Sequence, residues 1–133
     1  TTDNGAETIT YPDGGTTPFA GGKLTTWEGG MRAPAVVRWP GHIKPGTVLN
    51  EMFAALDWVP TFVEIAGGPK GDGLKKQIEK GEYPGIVKTT LDGVNQIDYL
   101  TGKSDKSARD HFLYYSGKQP SAAAATQAPV TAS

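Results

Sequence analysis

The sequence predicts an α/β fold, and three stretches carry that expectation. Residues 33–39 form a short apolar run with β-branched Val36 and Val37 at its middle, which reads as a strand buried on both faces. Residues 56–67 place apolar side chains at helical spacing. Residues 111–115 (His-Phe-Leu-Tyr-Tyr) read as an aromatic strand that opens a second, smaller sheet.

The chain opens with Thr1-Thr2-Asp3-Asn4-Gly5, expected to be the end of a core strand and the turn after it. Ligands gather at this edge of open α/β sheets. An acid–amide pair before glycine also offers hard oxygen donors on a tight turn. Residues 6–20 read as a loop. Pro12-Asp13-Gly14-Gly15 marks a turn in it, and Phe19 is expected to anchor it on the body.

Residues 21–39, GGKLTTWEGGMRAPAVVRW, are the densest run of unusual residues. Lys23 lies among glycines, which let a ligand or another chain approach closely. A cation held there suits an anion site at the edge of a sheet. The same pattern also fits a plain glycine-rich turn with a solvated lysine. Glu28 and Arg32 are expected to pair within the loop. Pro34 fits only near the start of a strand, and Pro40-Gly41 ends it.

In the helix at 56–67, Asp57 is expected to cap the N-terminus and leave Pro60 in the first turn. Val59, Phe62, Val63 and Ala66 share one face, with Trp58 and Ile65 beside it, so the helix reads as core-packing. Gly67-Gly68-Pro69 stops it. Residues 72–81 predict a weaker, polar helix with a thin Leu74/Ile78 stripe and a Lys75–Glu79 pair. It is read as a surface insertion. Leu91-Asp92-Gly93 reads as a turn, 96–100 as one helical turn, and 104–110 as a charged, exposed segment. Residues 121–133 carry no charge and no core-forming period, and predict a disordered tail. The organisation is then 1–68 as the main body, 69–120 as the insertion and a second subdomain, and 121–133 as tail.

The chain has 133 residues, 37% hydrophobic and 20% charged, a length that one compact domain would fit. A net charge of −1, with lysine and arginine spread out, argues against nucleic acid or an anionic membrane as partner. No apolar run is long enough to span a bilayer. Cysteine is absent, which excludes disulfides, thiolate metal sites and cysteine nucleophiles within this chain. His42 and His111 belong to no motif and are expected to be structural or surface residues. The chain begins with threonine and shows no leader, so it reads as an internal piece of a longer protein.

The ordered series TTDNG, PDGGTTPF, GGKLTTWEGGMRAPAVVRWPG, LDWVPT and LDGVNQIDYLTGK resembles the C-terminal half of a sulfatase. The nearest likeness is to the arylsulfatase branch of the alkaline-phosphatase superfamily, from residue 1 to about residue 121. This resemblance implies an alkaline-phosphatase-like α/β sandwich with the beginning of a small C-terminal antiparallel sheet. It implies a sulfuric ester hydrolase. Asp3 and Asn4 become metal ligands, two of those that bind calcium, the others lying upstream. Lys23 becomes the residue that contacts the sulfate, both catalytic and substrate-binding. The family commonly has glycine after this lysine, and Leu24 stands there instead.

The family nucleophile is a formylglycine made within a C/S-x-P-x-R motif. This chain has no such motif, so the cofactor-like residue is expected in the N-terminal half of the same protein, and the chain alone is expected to be inactive. In the implied mechanism the hydrated aldehyde attacks sulfur, the alcohol leaves and sulfate is eliminated. The resemblance further implies a sulfate ester small molecule or a sulfated glycan as substrate, and a periplasmic or secreted placement. Two alternatives stay open: a phosphoric-ester or phosphonate hydrolase of the same superfamily, and a non-catalytic module that binds an anion or a protein.

Overall fold

A computed structural model describes residues 1–7, 17–85 and 89–114. The turn expected at 12–15, Tyr115 and the tail expected at 121–133 lie outside the described residues. The rest divides into two units, Thr1–Arg38 and the chain from Trp39 onward.

The first unit is built on a single helical turn, α1 (Glu28–Met31), inside the glycine-rich loop. Two glycines make this a poor helix by propensity. Tertiary contact overrides that, since Gly29 and Gly30 are both buried. The Arg32 N–H donates to the Glu28 carbonyl at 2.8 Å and closes the turn.

In the second unit a 3-10 turn over Ala55–Asp57 leads into α2 (Trp58–Ile65). The glycines end α2 as expected. Gly67 takes φ +89°, and the Gly68 N–H donates to the Val63 carbonyl at 2.8 Å. Helix α3 (Gly73–Lys80) buries Leu74, half-buries Ile78 and stops at left-handed Gly81. Helix α4 (Ile97–Leu100) contributes Tyr99 and Leu100, 4% and 6% exposed, to a small apolar core with Ala54 and Leu74. The Tyr99 hydroxyl is not wasted there, because it accepts the Glu51 N–H at 2.8 Å.

Several expectations are corrected. No strand forms among the described residues. The run 33–39 is exposed along its apolar middle, with Val36 at 91%, and 111–114 is likewise unpaired. A strand exists only through a ladder with a neighbour, and neither stretch has one here. The sheet part of the fold class is therefore not seen.

Asp57 does not cap α2 with its side chain. Its carboxylate turns back to the Ala54 N–H at 2.9 Å and inward to other partners. Lys75 and Glu79 do not pair; Glu79 instead accepts the Thr90 hydroxyl at 3.1 Å. Residues 91–93 do not turn but run beside α2. Gly93 permits this, since a Cβ there would lie 2.2 Å from the Leu56 carbonyl oxygen. Finally, the apolar face of α2 is not the buried one. Leu56, Val59 and Phe62 are 46%, 52% and 56% exposed, while Asp57, Pro60 and Thr61 are buried.

Candidate functional site

In the first unit, the opening turn and the glycine loop are tied together by backbone bonds. The Gly5 N–H donates to the Gly30 carbonyl at 3.0 Å, and the Lys23 N–H donates to the Ala6 carbonyl at 2.9 Å. The Gly29 N–H donates to the Ala20 carbonyl at 2.8 Å. Such contact requires glycine at Gly5. A Cβ there would fall 1.8 Å from the Gly29 carbonyl oxygen, which real atoms never do. The sequence Asp-Asn-Gly thus ends where two backbones must touch, and the touching segment is the one that carries Lys23.

Lys23 sits at the second position of a turn closed by the Thr25 N–H on the Gly22 carbonyl at 3.1 Å. The Thr25 hydroxyl donates to the same carbonyl at 2.7 Å. The third position is Leu24, with φ +75° and 95% exposure. Left-handed backbone at this place normally calls for glycine. The turn keeps a glycine-type conformation while holding leucine, and the strain is of order 1–2 kcal/mol.

The Lys23 ammonium donates to the Glu7 carboxylate at 3.3 Å, with side chains 39% and 37% exposed. Sequence reasoning did not single out Glu7, although it lies three residues after Asn4. Asp3 is exposed and Asn4 half-buried. Among the described residues neither side chain has a hydrogen-bond partner, so their oxygens stay available to a cation. A carboxylate and an amide oxygen are the donor types that calcium prefers, but calcium takes about six or more. Among the described residues, no group of three or more His, Asp or Glu converges on a metal site. The two residues fit part of a calcium shell and do not make one alone.

Arg32 and Glu28 form the expected ion pair at 3.3 Å, both about half exposed. The Arg32 guanidinium also lies 4.3 Å from the centre of the Phe19 ring, which gives that ring its anchor. The two histidines lie in the second unit. His42 packs against Trp39 with tilted rings whose centres are 4.1 Å apart. His111 bonds the exposed Asp110 carboxylate at 2.5 Å and holds it below the usual aspartate range.

The second unit also holds a polar hub that sequence reasoning missed. Asp57 is fully buried. Its carboxylate accepts the Arg109 Nη2–H at 2.7 Å and the Nε–H at 3.0 Å. It also accepts the Val94 N–H at 2.9 Å and the Gln96 amide at 3.2 Å. Burial pushes the carboxyl up, but the Arg109 guanidinium and these N–H donors outweigh it and leave it below its ordinary value. Gln96 and Ser107 extend the hub, which ends on the Met52 carbonyl. No buried side-chain nitrogen or oxygen lacks a partner among the described residues. Everything here is satisfied internally, so the hub is structural. A solvent-open depression of about 590 Å³ beside it is lined by Asp72, Lys75, Lys76, Glu79 and Asn95. It contains none of the residues expected to do chemistry.

Comparison with known proteins agrees with the motif series. A family model described as "N-sulphoglucosamine sulphohydrolase, C-terminal" matches residues 22–80. Arylsulfatase A of Homo sapiens is 38% identical over 116 residues, 86% of this chain and 19% of that protein. N-acetylgalactosamine-6-sulfatase of Mus musculus is 46% identical over 69 residues, 50% of this chain and 13% of that protein. Steryl-sulfatase of Mus musculus is 33% identical over 97 residues, 73% of this chain and 13% of that protein. The chain spans about a fifth of the length of the arylsulfatases it matches, or less in the other two. No solved structure matches it significantly. With the motifs in order, a C-terminal family model over 22–80 and sulfatase relatives over most of its length, the chain belongs to the sulfatase family and corresponds to its C-terminal part.

Proposed function

We propose that this chain is part of a sulfuric ester hydrolase of arylsulfatase type, and that the Asp3–Asn4 turn and Lys23 form one wall of its active site. The observation that carries this reading is the backbone tie between the two segments, Lys23 N–H to Ala6 carbonyl at 2.9 Å and Gly5 N–H to Gly30 carbonyl at 3.0 Å. It brings an oxygen-donor turn and a cation to adjoining positions in a single unit, where an oxyanion ester could meet both.

Lys23 offers a compact positive charge, suited to the non-bridging oxygens of a sulfate group. It is held by a tight turn rather than a free loop, so little reorganisation is needed as charge builds on those oxygens. Glu7 keeps the ammonium aligned until an anion replaces it. Asp3 and Asn4 would supply two oxygens to a calcium ion, whose charge would polarise the ester. Further ligands and the formylglycine nucleophile would lie outside this chain, which spans about a fifth of human arylsulfatase A. The bound alcohol is left open by these residues, and aryl sulfates are the simplest test.

The experiment joins this chain to an upstream sulfatase segment carrying the nucleophile motif and follows 4-nitrophenyl sulfate. Lys23→Ala is expected to lower kcat/KM by about 10²–10³, the usual cost of removing one transition-state donor. Asp3→Ala is expected to raise the calcium needed for half-maximal rate. A joined protein that turns over equally well with and without Lys23 would remove the lysine from the site.

A further inference from the structure

Helix α2 is inside out with respect to its own unit. Its inward face is polar and complete. Asp57 serves the hub and the Thr61 hydroxyl donates to the Asp57 carbonyl at 2.6 Å. Glu64 accepts the Asn95 amide at 2.7 Å and the Gly71 N–H at 2.8 Å. The opposite face carries Val59, Phe62 and Val63, continued by Leu56 in the preceding turn and by Ala66 just after the helix, with no charged residue among them. Three of these side chains are about half exposed or more. An aromatic row flanks the stripe, because Trp58 lies 4.9 Å from Phe62 and 4.5 Å from Phe53 between ring centres.

A helix that met water on this side would carry charge there. The inward face leaves no unsatisfied group that a rotation would rescue. The outward face is thus an interior surface that no described residue of this unit covers. A second copy of the chain is a poor cover. A helix of eight residues is about 12 Å long, and a stable dimer needs on the order of 800 Å² from each partner. The relatives point to a better one, since this chain covers only 19% of human arylsulfatase A. Roughly four-fifths of such a protein lies elsewhere.

We infer that the Leu56/Val59/Phe62/Ala66 stripe of α2 is the docking surface for the upstream body of the sulfatase catalytic domain, an inference that rests on the sulfatase reading above. The occupant is apolar, as the charge-free stripe demands, and it covers the stripe as one part of a larger packed interface.

The test co-expresses the 133-residue chain with human arylsulfatase A truncated before the matched segment. A one-to-one complex is expected on co-purification and sedimentation. Phe62→Asp or Val59→Lys should cut recovery of the complex at least ten-fold. Val59→Lys should leave the circular dichroism and urea midpoint of the chain alone unchanged, because its side chain is more than half exposed. Phe62→Asp should keep the helical circular dichroism while losing its ring contact with Trp58. Lys76→Glu, on α3, should leave the complex intact. Absence of a complex with the unaltered chain overturns the inference. So does a self-dimer that Phe62→Asp dissolves, since the occupant is then a second copy. Sulfate ester hydrolysis by the complex separates the two readings: a complex that depends on Phe62 yet hydrolyses no sulfate ester, with Lys23 in place, upholds the docking surface and sinks the proposed chemistry.

Discussion

Replacing Asp57 by alanine attacks the second unit at its most buried charge. The carboxylate is fully buried, and the Arg109 side chain is only 9% exposed. Alanine leaves that guanidinium without its bidentate partner and orphans the Ala54 and Val94 N–H groups. Removing one member of a buried pair costs about 3–5 kcal/mol. Water entering the small cavity offsets part of the orphaned N–H cost, so we expect about 4 kcal/mol. That is a large share of the roughly 5–15 kcal/mol that holds a domain together. Arg109→Met should cost less, because Asp57 keeps Ala54, Val94 and Gln96 as donors. The double variant should be less damaged than the sum, with a coupling of about 2 kcal/mol for groups in direct contact. Urea unfolding followed by tryptophan fluorescence reads all four corners of the cycle, since Trp39 and Trp58 both lie in this unit. A loss below about 1 kcal/mol for Asp57→Ala, as for an exposed pair, would refute the view of the hub as a desolvated structural centre.

Other outcomes follow from the same geometry. Asp57 is held below its ordinary value when folded, so its contribution is fully present above about pH 4 and is lost as pH falls through the lowered folded value. Acid unfolding of Asp57→Asn should therefore be shallower than that of the unaltered chain below pH 4. Leu24→Gly relieves about 1–2 kcal/mol of left-handed strain against about 0.5–1 kcal/mol of added unfolded-state freedom. The side chain is 95% exposed and loses no packing, so a net gain of about 0.5–1 kcal/mol is expected in thermal melts. A loss would mean that the Leu24 side chain has a partner. Gly5→Ala drives a Cβ to within 1.8 Å of the Gly29 oxygen. It should cost at least about 2 kcal/mol and strip hydrogen-exchange protection from the Gly5 and Lys23 amides, leaving α2 to α4 protected.

Local signals were legible in the sequence and long-range ones were not. Helical spacing and terminal glycines located α2, α3 and α4 to within a residue or two. Asp3, Asn4 and Lys23 were singled out from the motif series alone, and the backbone bonds at Gly5 and Lys23 tie together the segments that carry them. The Asp57–Arg109 pair spans 52 positions, and nothing in LDWVPT tells a capping aspartate from a buried one. Glu7 escaped because a lone glutamate in a loop has no pattern. The strand expected at 33–39, and the described part (111–114) of the one expected at 111–115, are absent for a different reason. Apolar, β-branched and aromatic runs state a preference for a ladder, but the ladder itself is a property of two segments. The face of α2 shows the same limit: period 3.6 says which residues share a side, and only the neighbours decide whether that side is covered.

Completion of a sulfatase site by this chain is the proposal on which its function rests. Its most direct test measures hydrolysis of 4-nitrophenyl sulfate and 4-nitrophenyl phosphate by the chain, by an upstream segment bearing the nucleophile motif, and by the two together. Sulfate turnover is expected only from the mixture, dependent on calcium and on Lys23, with the phosphate ester slower. A mixture that associates yet hydrolyses neither ester, or only the phosphate, would contradict it.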